Sequence, residues 1–445
     1  MHLTRELNKL RKEVLEMKKI LAMVLTIVML LSLASVSAYA DEKIKLQFMG
    51  WEASAYETEA NKAAIAAFEA ANPEYEVEFI TGKYDDHHTR LMTMMAGNAA
   101  PDVFYMEPNF SRAFSDQGLL LNIADIYEKD FKDVKLIDWS YQKTSSDDGK
   151  CYGIDSCIVG SILYVNPELF RAAGLEIPST SEAMTWDEFV SVAQKLTLKD
   201  GDVVTQYGVY GFDDWAVAEA YLYYNDISLF NEAGMFEISN PERAAEILET
   251  LKSLRTVYGV APEAAFIENS GMNANQLLKT GKVAMVMQGS FSTQELSKMG
   301  FEFIAVKPPV LDEKHPVGIL HSSYNCAIWS GTKYPEAAKT LASFLCSEDA
   351  QLVFVRDGLW MTNRDYLYEP ENWDKWLSHD VYPEGFEDLI PMFRKGNFRP
   401  SFGVKNANEV TDVLVEEYQN YLFNGQSVEN TFANMTTRAN KIMSR

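Results

Sequence analysis

Aromatic, acidic and amide side chains follow predicted strands in the N-terminal part of this chain. They are Trp51, Glu52, Asp86, Glu107 and Asn109. Carboxylates and amides exchange hydrogen bonds with hydroxyl groups, and an indole ring offers a flat apolar face. The set contains no nucleophile with an adjacent base, so it indicates reversible binding of a polar molecule rather than bond chemistry. A lone tryptophan is also common in a core, and both interpretations of Trp51 stay open at this stage.

Motifs of the common enzyme classes are absent from the sequence: it has no HExxH, GxSxG, P-loop or GxGxxG pattern. Acidic residues are plentiful, so a secreted glycosidase with paired carboxylates remains an alternative, although no pair stands out. The pair His87-His88 next to Asp85 and Asp86 offers metal-ligand types at a spacing that matches no known site. We therefore expect a solvated loop there, with no metal and no cofactor.

The elements that position these residues alternate between strand and helix. Strands are predicted over 44–49 and 75–80 and after Pro101-Asp102, with helices over 57–71 and in a methionine-rich segment that follows His88. This order predicts a parallel, doubly wound α/β sheet. In such sheets ligands bind beyond the carboxyl ends of the strands, which is where the candidate residues fall.

The length and composition predict a two-lobe globular protein. A chain of 445 residues exceeds one ordinary core, and its composition is 47% hydrophobic and 23% charged. The net charge of −24 argues against a nucleic-acid partner. Four cysteines do not form a disulfide framework in a chain this long. A Cys151–Cys157 disulfide is one hypothesis, whereas Cys326 and Cys346 are expected to behave as small core hydrophobes.

The first forty residues predict a secretory signal peptide. Met17-Lys18-Lys19 precedes an apolar run over 20–33, and Ala38-Tyr39-Ala40 is a small-x-small cleavage signal. The run is too short for a membrane span. Residues 1–16 are interpreted as an upstream extension, with Met17 as the start. We expect a secreted, extracytoplasmic protein; no cysteine follows the apolar core, so the sequence gives no sign of a lipid anchor.

The segment 150–189 predicts the link between the lobes. An apolar strand over 158–165 ends at Asn166-Pro167, and a short helix follows. Thr185 and Glu188 have capping-box spacing, so another helix is expected to start at Trp186.

The motifs of this chain resemble those of the extracellular solute-binding proteins of ABC importers, the carbohydrate group that includes maltose-binding protein. The resemblance rests on LYVNPELFRAAGLEIPST with TWDEF, GNAAPDV, GKVAMVMQGSF and YPEAAKTLASFLCSEDAQ, and it covers essentially all of residues 41–445. It implies a two-lobe, type II periplasmic-binding-protein-like α/β fold with a multi-crossing hinge. Lobe 1 would comprise 41–156 and 315–357, and lobe 2 would comprise 157–314 and 358–445.

The resemblance also implies site residues in the later part of the chain. They are Trp215, Ser290, Phe291, His321, Ser323 and Trp360. Many sugar-binding relatives carry tryptophan at the position of Phe291, so phenylalanine there is a departure that weakens the case for a specific sugar.

The function that the resemblance implies is capture of a mono- or oligosaccharide in the interlobe cleft and its delivery to the transmembrane subunits of an ABC permease. We expect a monomer that is not an enzyme. The alternatives are another solute on the same fold, namely a glycerol phosphate, a polyamine or a peptide, and the glycoside hydrolase already mentioned.

Overall fold

The computed structural model describes residues 43–445 except 53, 138–143, 146–149, 317, 319 and 322–323, together with Met17 and Lys19. Of residues 144, 145, 321 and 398 only the backbone is described. The predicted signal peptide, residues 1–40, therefore lies almost entirely outside the described residues. Within the described part, no helix combines the length and apolar character that crossing a bilayer requires.

The strands of the described residues fall into two main sheets and one small one. They are β1 (Ile44–Met49), β2 (Tyr75–Ile80), β3 (Val103–Met106), β4 (Thr144–Ser145), β5 (Cys151–Asp155), β6 (Ser161–Val165), β7 (Leu198–Asp200), β8 (Val203–Tyr210), β9 (Val283–Gly289), β10 (Ile304–Val306), β11 (Leu320–His321), β12 (Asn325–Ile328) and β13 (Asn397–Phe398). β11 and β13 form the small sheet.

The helices cover both sheets. They are α1 (Ala55–Ala71), α2 (His87–Ala96), α3 (Pro108–Asp116), α4 (Ala124–Ile126), α5 (Pro167–Ala172), α6 (Trp186–Leu196), α7 (Trp215–Tyr224), α8 (Pro241–Thr256), α9 (Ala264–Ser270), α10 (Ala274–Lys279), α11 (Ser292–Lys298), α12 (Pro335–Leu345), α13 (Glu348–Arg356), α14 (Ile390–Arg394), α15 (Ala407–Phe423) and α16 (Val428–Met443). A π-helical turn spans Tyr127–Phe131, and 3₁₀ turns span Tyr84–Asp86, Asp365–Tyr368, Pro370–Lys375, Phe386–Leu389 and Pro400–Phe402.

The first sheet has the order β2-β1-β3-β12-β5-β4. β1 runs parallel to β2 and β3, and α1 and α2 make the crossovers, as the alternating pattern predicts. β3 is buried at all four positions, which explains its uninterrupted apolar sequence VFYM. β12 returns to pair antiparallel with β3 and β5. We call this sheet and the helices packed on it the first lobe.

The second sheet has the order β10-β6-β9-β8-β7. β8 runs parallel to β9, and β6 is antiparallel to both β9 and β10. We call this sheet and its helices the second lobe. Two sheets, each flanked by helices, confirm the predicted two-lobe α/β class. The expectation of a mostly parallel sheet in each lobe is corrected, because among the described strands of these two sheets only the pairings β1–β2, β1–β3 and β8–β9 are parallel.

Each sheet has its own hydrophobic core. In the first lobe, Phe68 of α1 and Leu341 of α12 pack on the sheet, and in the second lobe Phe189 of α6 and Leu248 of α8 do so. Trp360 belongs to the first core, although the sequence assigns 358–445 to the second lobe. The residue bounds of the lobes therefore stay a prediction.

Local sequence signals explain where several helices begin. Thr185 and Glu188 form the predicted capping box at the start of α6. The motif segment from Pro335 through Gln351 contains parts of two helices, α12 and α13, rather than one continuous helix. Ser347 separates them because its hydroxyl accepts the Ala350 N–H and caps the second helix.

Two other expectations are corrected, and one further segment forms an element that the sequence analysis does not predict. The predicted strand over 158–165 begins only at Ser161, and Ile158 instead exchanges backbone hydrogen bonds with Met361. The polar stretch 199–206 forms much of a β7–β8 hairpin. The structure does not join Cys151 to Cys157; the Cys151 thiol donates to the Gly153 carbonyl at 3.4 Å.

Candidate functional site

A cavity of about 910 Å³ lies between the two lobes. The ends of β1 and β3 contribute residues from the first lobe, and the ends of β8 and β9 contribute residues from the second. Among the predicted site residues it is lined by Trp51, Glu107, Trp215, Phe291 and Trp360. The carboxyl ends of the strands thus meet at this cavity, as expected for this sheet topology.

Aromatic rings form the wall of the first lobe. Trp51, at the end of β1, is 1% exposed, and its ring meets that of Tyr324 nearly edge to face, with 4.4 Å between centroids. Tyr324 also contacts Trp360 at 5.3 Å. Tyr84 packs against Trp51 at 5.5 Å and lines the cavity as well. Trp51 is therefore both a core residue and part of the cavity wall, so the two interpretations of its role are compatible.

Glu107 is a buried carboxylate of the first lobe at this wall. It directly follows β3, caps α3 and is 9% exposed. The Tyr84 hydroxyl donates to Glu107 Oε1 at 2.6 Å, and the Glu107 N–H donates to His88 Nε2 at 3.2 Å. Burial raises the pKa of the Glu107 carboxyl, and the Tyr84 hydrogen bond opposes that shift.

The expectation of a solvated loop at His87-His88 is wrong. Both residues lie in the first turn of α2 and are buried, at 1% and 7% exposure. Burial lowers the pKa of His87 to about 4 and that of His88 well below its usual value. His87 Nε2 lies 2.7 Å from the Tyr105 carbonyl, and its ring packs edge-on against Trp51.

The second lobe supplies the opposite wall. Trp215 is the first residue of α7, which Asp214 caps by accepting the Ala216 N–H. The Trp215 ring packs against Tyr418 of α15 with 5.5 Å between centroids, and both residues line the cavity. Asp213 beside them has a pKa raised by burial.

Phe291 follows the β9 strand and lines the cavity at the start of α11. Its ring lies so close to Gly289 that a Cβ there would come within 2.1 Å of it, which explains the glycine in the sequence motif. Ser290 does not line the cavity. Its backbone N–H donates to the Gly160 carbonyl at 2.8 Å and joins the ends of two segments of the second lobe.

Three other predicted residues, Glu52, Asp86 and Asn109, do not line the cavity. Glu52 and Asp86 are exposed beside it, and Asn109 is buried inside the first turn of α3. For His321 only the backbone is described, in β11, and Ser323 lies outside the described residues. Their predicted binding roles are untested.

Arg399 is a lining residue that the sequence did not indicate. Its Nε and Nη2 atoms donate to Glu219 Oε2 at 3.1 and 3.0 Å, and the backbone N–H and hydroxyl of Ser401 also donate to that carboxylate. Glu219 is fully buried, so the pair fixes the segment after β13 against α7. Tyr84, Tyr324 and Tyr418 were likewise missed.

The cavity is acidic. Of the described residues that line it, Arg399 is the cation, and the carboxylates are Glu57, Asp85, Glu107, Asp213, Asp214 and Glu295. No group of three or more His, Cys, Asp and Glu suited to a metal ion occurs among the residues that the structure describes.

The sequence matches the family model described as bacterial extracellular solute-binding protein over residues 54–352. Among curated relatives, an arabinooligosaccharide-binding protein of Halalkalibacterium halodurans is 22% identical over 81% of this chain and 80% of its own. An uncharacterized lipoprotein in the oleD 5′ region of Streptomyces antibioticus is 28% identical, and that match spans only 38% of either chain.

The fold is also that of a solved binding protein. An ABC substrate-binding protein from Listeria monocytogenes, in complex with cycloalternan, superposes with a TM-score of 0.77 at 22% identity, covering 90% of this chain and 99% of that one. The family is one of binding proteins rather than enzymes, which removes the glycoside hydrolase alternative. From the family match and the shared two-lobe fold, we conclude that this chain belongs to the bacterial extracellular solute-binding proteins.

Proposed function

We propose that this protein captures a sugar in the cleft between its lobes and delivers it to the transmembrane subunits of an ABC permease. The observation that carries the proposal is the pairing of aromatic and acidic groups on both walls. Trp51 and Trp360 stand near Glu107 on one wall, and Trp215 stands beside Asp213 on the other.

Aromatic and acidic groups each contact a different part of a sugar. The C–H face of a pyranose or furanose ring packs on an aromatic face, and its hydroxyls exchange hydrogen bonds with carboxylates and amides. Closure of the lobes would exclude water from these hydrogen bonds and strengthen them. The permease would then recognise the closed form, whose population the ligand increases.

The size of the cleft favours an oligosaccharide over a single ring. Its volume of about 910 Å³ lies near the upper end of the range of roughly 300–1,000 Å³ that is usual for small-molecule pockets. The names of two similar proteins agree with that class, since one is an arabinooligosaccharide-binding protein and the other was solved with cycloalternan. We propose that the protein acts as a monomer outside the cytoplasm and that residues 1–40 direct its export.

A cationic solute such as a polyamine is the second candidate, because the lining carboxylates outnumber the single lining cation among the described residues. A phosphorylated solute fits less well. Arg399 already directs its Nε and Nη2 donors at Glu219, and no second described cation lines the cleft to complete a phosphate site.

A thermal-shift and calorimetry screen tests the proposal on the purified protein. The panel contains maltotriose, arabinotriose, cycloalternan, spermidine, a tripeptide and glycerol 3-phosphate. A ligand that binds only the folded state raises the melting temperature. We expect one of the sugars to do so and Phe291→Ala to abolish the shift.

A matched variant separates loss of binding from general damage. Trp186 lies in the second-lobe core away from the cleft, so Trp186→Phe should keep the sugar response that Trp215→Phe weakens. If only spermidine raises the melting temperature, the solute is a cation rather than a sugar. If the folded protein shows neither a thermal shift nor a calorimetric signal with any of the three sugars, the sugar assignment is overturned.

A further inference from the structure

Two residues of the segment 84–88, Tyr84 and His88, each form a hydrogen bond with Glu107. The Tyr84 hydroxyl donates to the side chain, at Oε1, over 2.6 Å. His88 accepts the backbone N–H of the same residue at Nε2 over 3.2 Å. One short segment between β2 and β3 thus holds both the carboxylate and the main chain of a residue on the cleft wall.

The backbone contact fills a specific need. Glu107 is the N-cap of α3 and Pro108 is its first residue, so the Glu107 N–H precedes the helix and has no partner within it. The Glu107 carbonyl already accepts the Phe110 N–H at 3.0 Å. His88 supplies the acceptor that the amide would otherwise lack in a buried position.

The geometry also fixes the state of the His88 ring. An amide N–H can only donate, so Nε2 must be the unprotonated nitrogen of a neutral imidazole. The ring stacks on Phe110 of α3 at 3.8 Å with an interplanar angle of 5°. His88 is therefore attached to α3 through a ring face as well as through the hydrogen bond, and it is 7% exposed.

The neighbouring His87 serves a different partner. Its Nε2 faces the Tyr105 carbonyl at 2.7 Å, which requires a proton on that nitrogen, and its ring supports Trp51. The two adjacent histidines thus use opposite tautomers, and each contacts a different part of the cleft wall.

We infer that Tyr84 and His88 are positioning residues that form a two-point clamp on Glu107 and set the direction of its carboxylate toward the bound solute. The inference rests on the proposed function in one respect, namely that Glu107 hydrogen-bonds the ligand. A purely structural role would make His88 a packing residue whose hydrogen bond leaves ligand affinity unaffected.

Three variants separate the hydrogen bond from the packing. His88→Phe keeps a ring on Phe110 and removes the acceptor, whereas His88→Gln keeps an acceptor and removes the ring. His87→Phe changes the adjacent buried ring without touching Glu107 and serves as the control.

The first measurement needs no ligand. In the wild-type protein, NMR should detect a scalar coupling across the hydrogen bond between the Glu107 amide nitrogen and His88 Nε2. Exchange of the Glu107 amide hydrogen should accelerate by about tenfold in His88→Phe, the effect of losing one hydrogen bond, and much less in His88→Gln and His87→Phe. A protonated His88 Nε2 in the wild-type protein, or unchanged exchange in a folded His88→Phe protein, would overturn the clamp.

The second measurement uses maltotriose and arabinotriose as probes. For the one that binds, His88→Phe should weaken affinity by about tenfold in the wild-type background and have little effect in a Glu107→Gln background, because the two changes act through one group. Equal losses in both backgrounds would show that His88 does not act through Glu107. If neither of these sugars binds, cycloalternan serves as the probe; no binding of any of the three overturns the sugar assignment, while the exchange data still decide whether the clamp exists.

Discussion

The rings of Trp51 and Tyr324 meet with 4.4 Å between their centroids and an angle of 69° between their planes. Trp51 follows β1, and Tyr324 precedes β12, a strand that joins the same sheet only after the chain has built most of the second lobe. The contact therefore brings together two distant parts of the sequence at the cleft, and it links the stability of the first lobe to the shape of the binding wall.

Replacement of Trp51 by alanine should cost stability as well as binding. The side chain is 1% exposed and touches Tyr84, His87 and Tyr324, so Trp51→Ala should lower the free energy of unfolding by about 3–5 kcal/mol. Urea denaturation followed by circular dichroism measures the change. Val257→Ala, at a side chain 72% exposed, should stay within about 0.5 kcal/mol of the wild type. A Trp51→Ala protein as stable as Val257→Ala would contradict the packing described here.

Part of this cleft follows from the sequence alone. Trp51 and Glu107 are selected because parallel strands end at one edge of a sheet, whereas Trp215 and Phe291 are implied by the family resemblance; all four line the cavity. The same rule also selects Glu52 and Asp86, which lie outside the cavity wall, since it fixes the end of the strand but not the direction of each side chain.

Other features depend on tertiary packing that local patterns do not encode. Arg399 and Tyr418 reach the cleft from the C-terminal segment, about two hundred residues along the chain from Glu219 and Trp215. The acidic neighbours of His87 and His88 suggested solvent, whereas the apolar spacing with Leu91 and Met95 already indicated one buried helix face.

Acid should destabilise the protein through His87 and His88. Both have pKa values below the unfolded value of about 6.5, because burial disfavours the charged ring. The charge of Arg90 lowers the pKa of His87 further, and His87 lowers that of His88 further. The unfolded state then binds more protons in this range, so stability is complete above about pH 6.5 and falls as the pH drops toward 4.

The pH dependence is best measured as a difference between proteins. Glu107 makes a contribution of the opposite sign to the pH dependence of stability. Its raised pKa means that the folded state binds a proton more readily than the unfolded state as the pH falls. The denaturation midpoints of the wild type and of His87→Phe are measured between pH 7 and 4.5. Both proteins contain Glu107, so its contribution cancels in the difference between their midpoints. As the pH falls, the denaturation midpoint of the wild type should decrease more than that of His87→Phe. Parallel pH profiles of the two midpoints would show that His87 is not buried as a neutral ring.

All four cysteines should be unreactive in the native protein. Each is buried, and burial raises the thiol pKa values of Cys157 and Cys326, which disfavours the reactive thiolate. A colorimetric disulfide reagent should modify none of them in native protein and all four after denaturation without reductant. Recovery of only two thiols in denaturant would show that a disulfide is present and would restore the Cys151–Cys157 hypothesis.

The Arg399–Glu219 pair should behave as a buried ion pair whose members depend on each other. Their side chains are 13% and 0% exposed, so Arg399→Gln leaves a buried carboxylate with only the Ser401 donors and should cost about 3 kcal/mol of stability. The double variant Arg399→Gln with Glu219→Gln should recover part of that loss, because no buried charge is then left uncompensated. The exposed pair Arg171–Glu302, at 52% and 50%, is the control, and Arg171→Gln should cost much less stability than Arg399→Gln. If the losses of the two single variants at the buried pair simply add in the double variant, the carboxylate does not need Arg399, and the guanidinium is available to a ligand in the cleft. That outcome would favour an anionic solute over the neutral sugar proposed above.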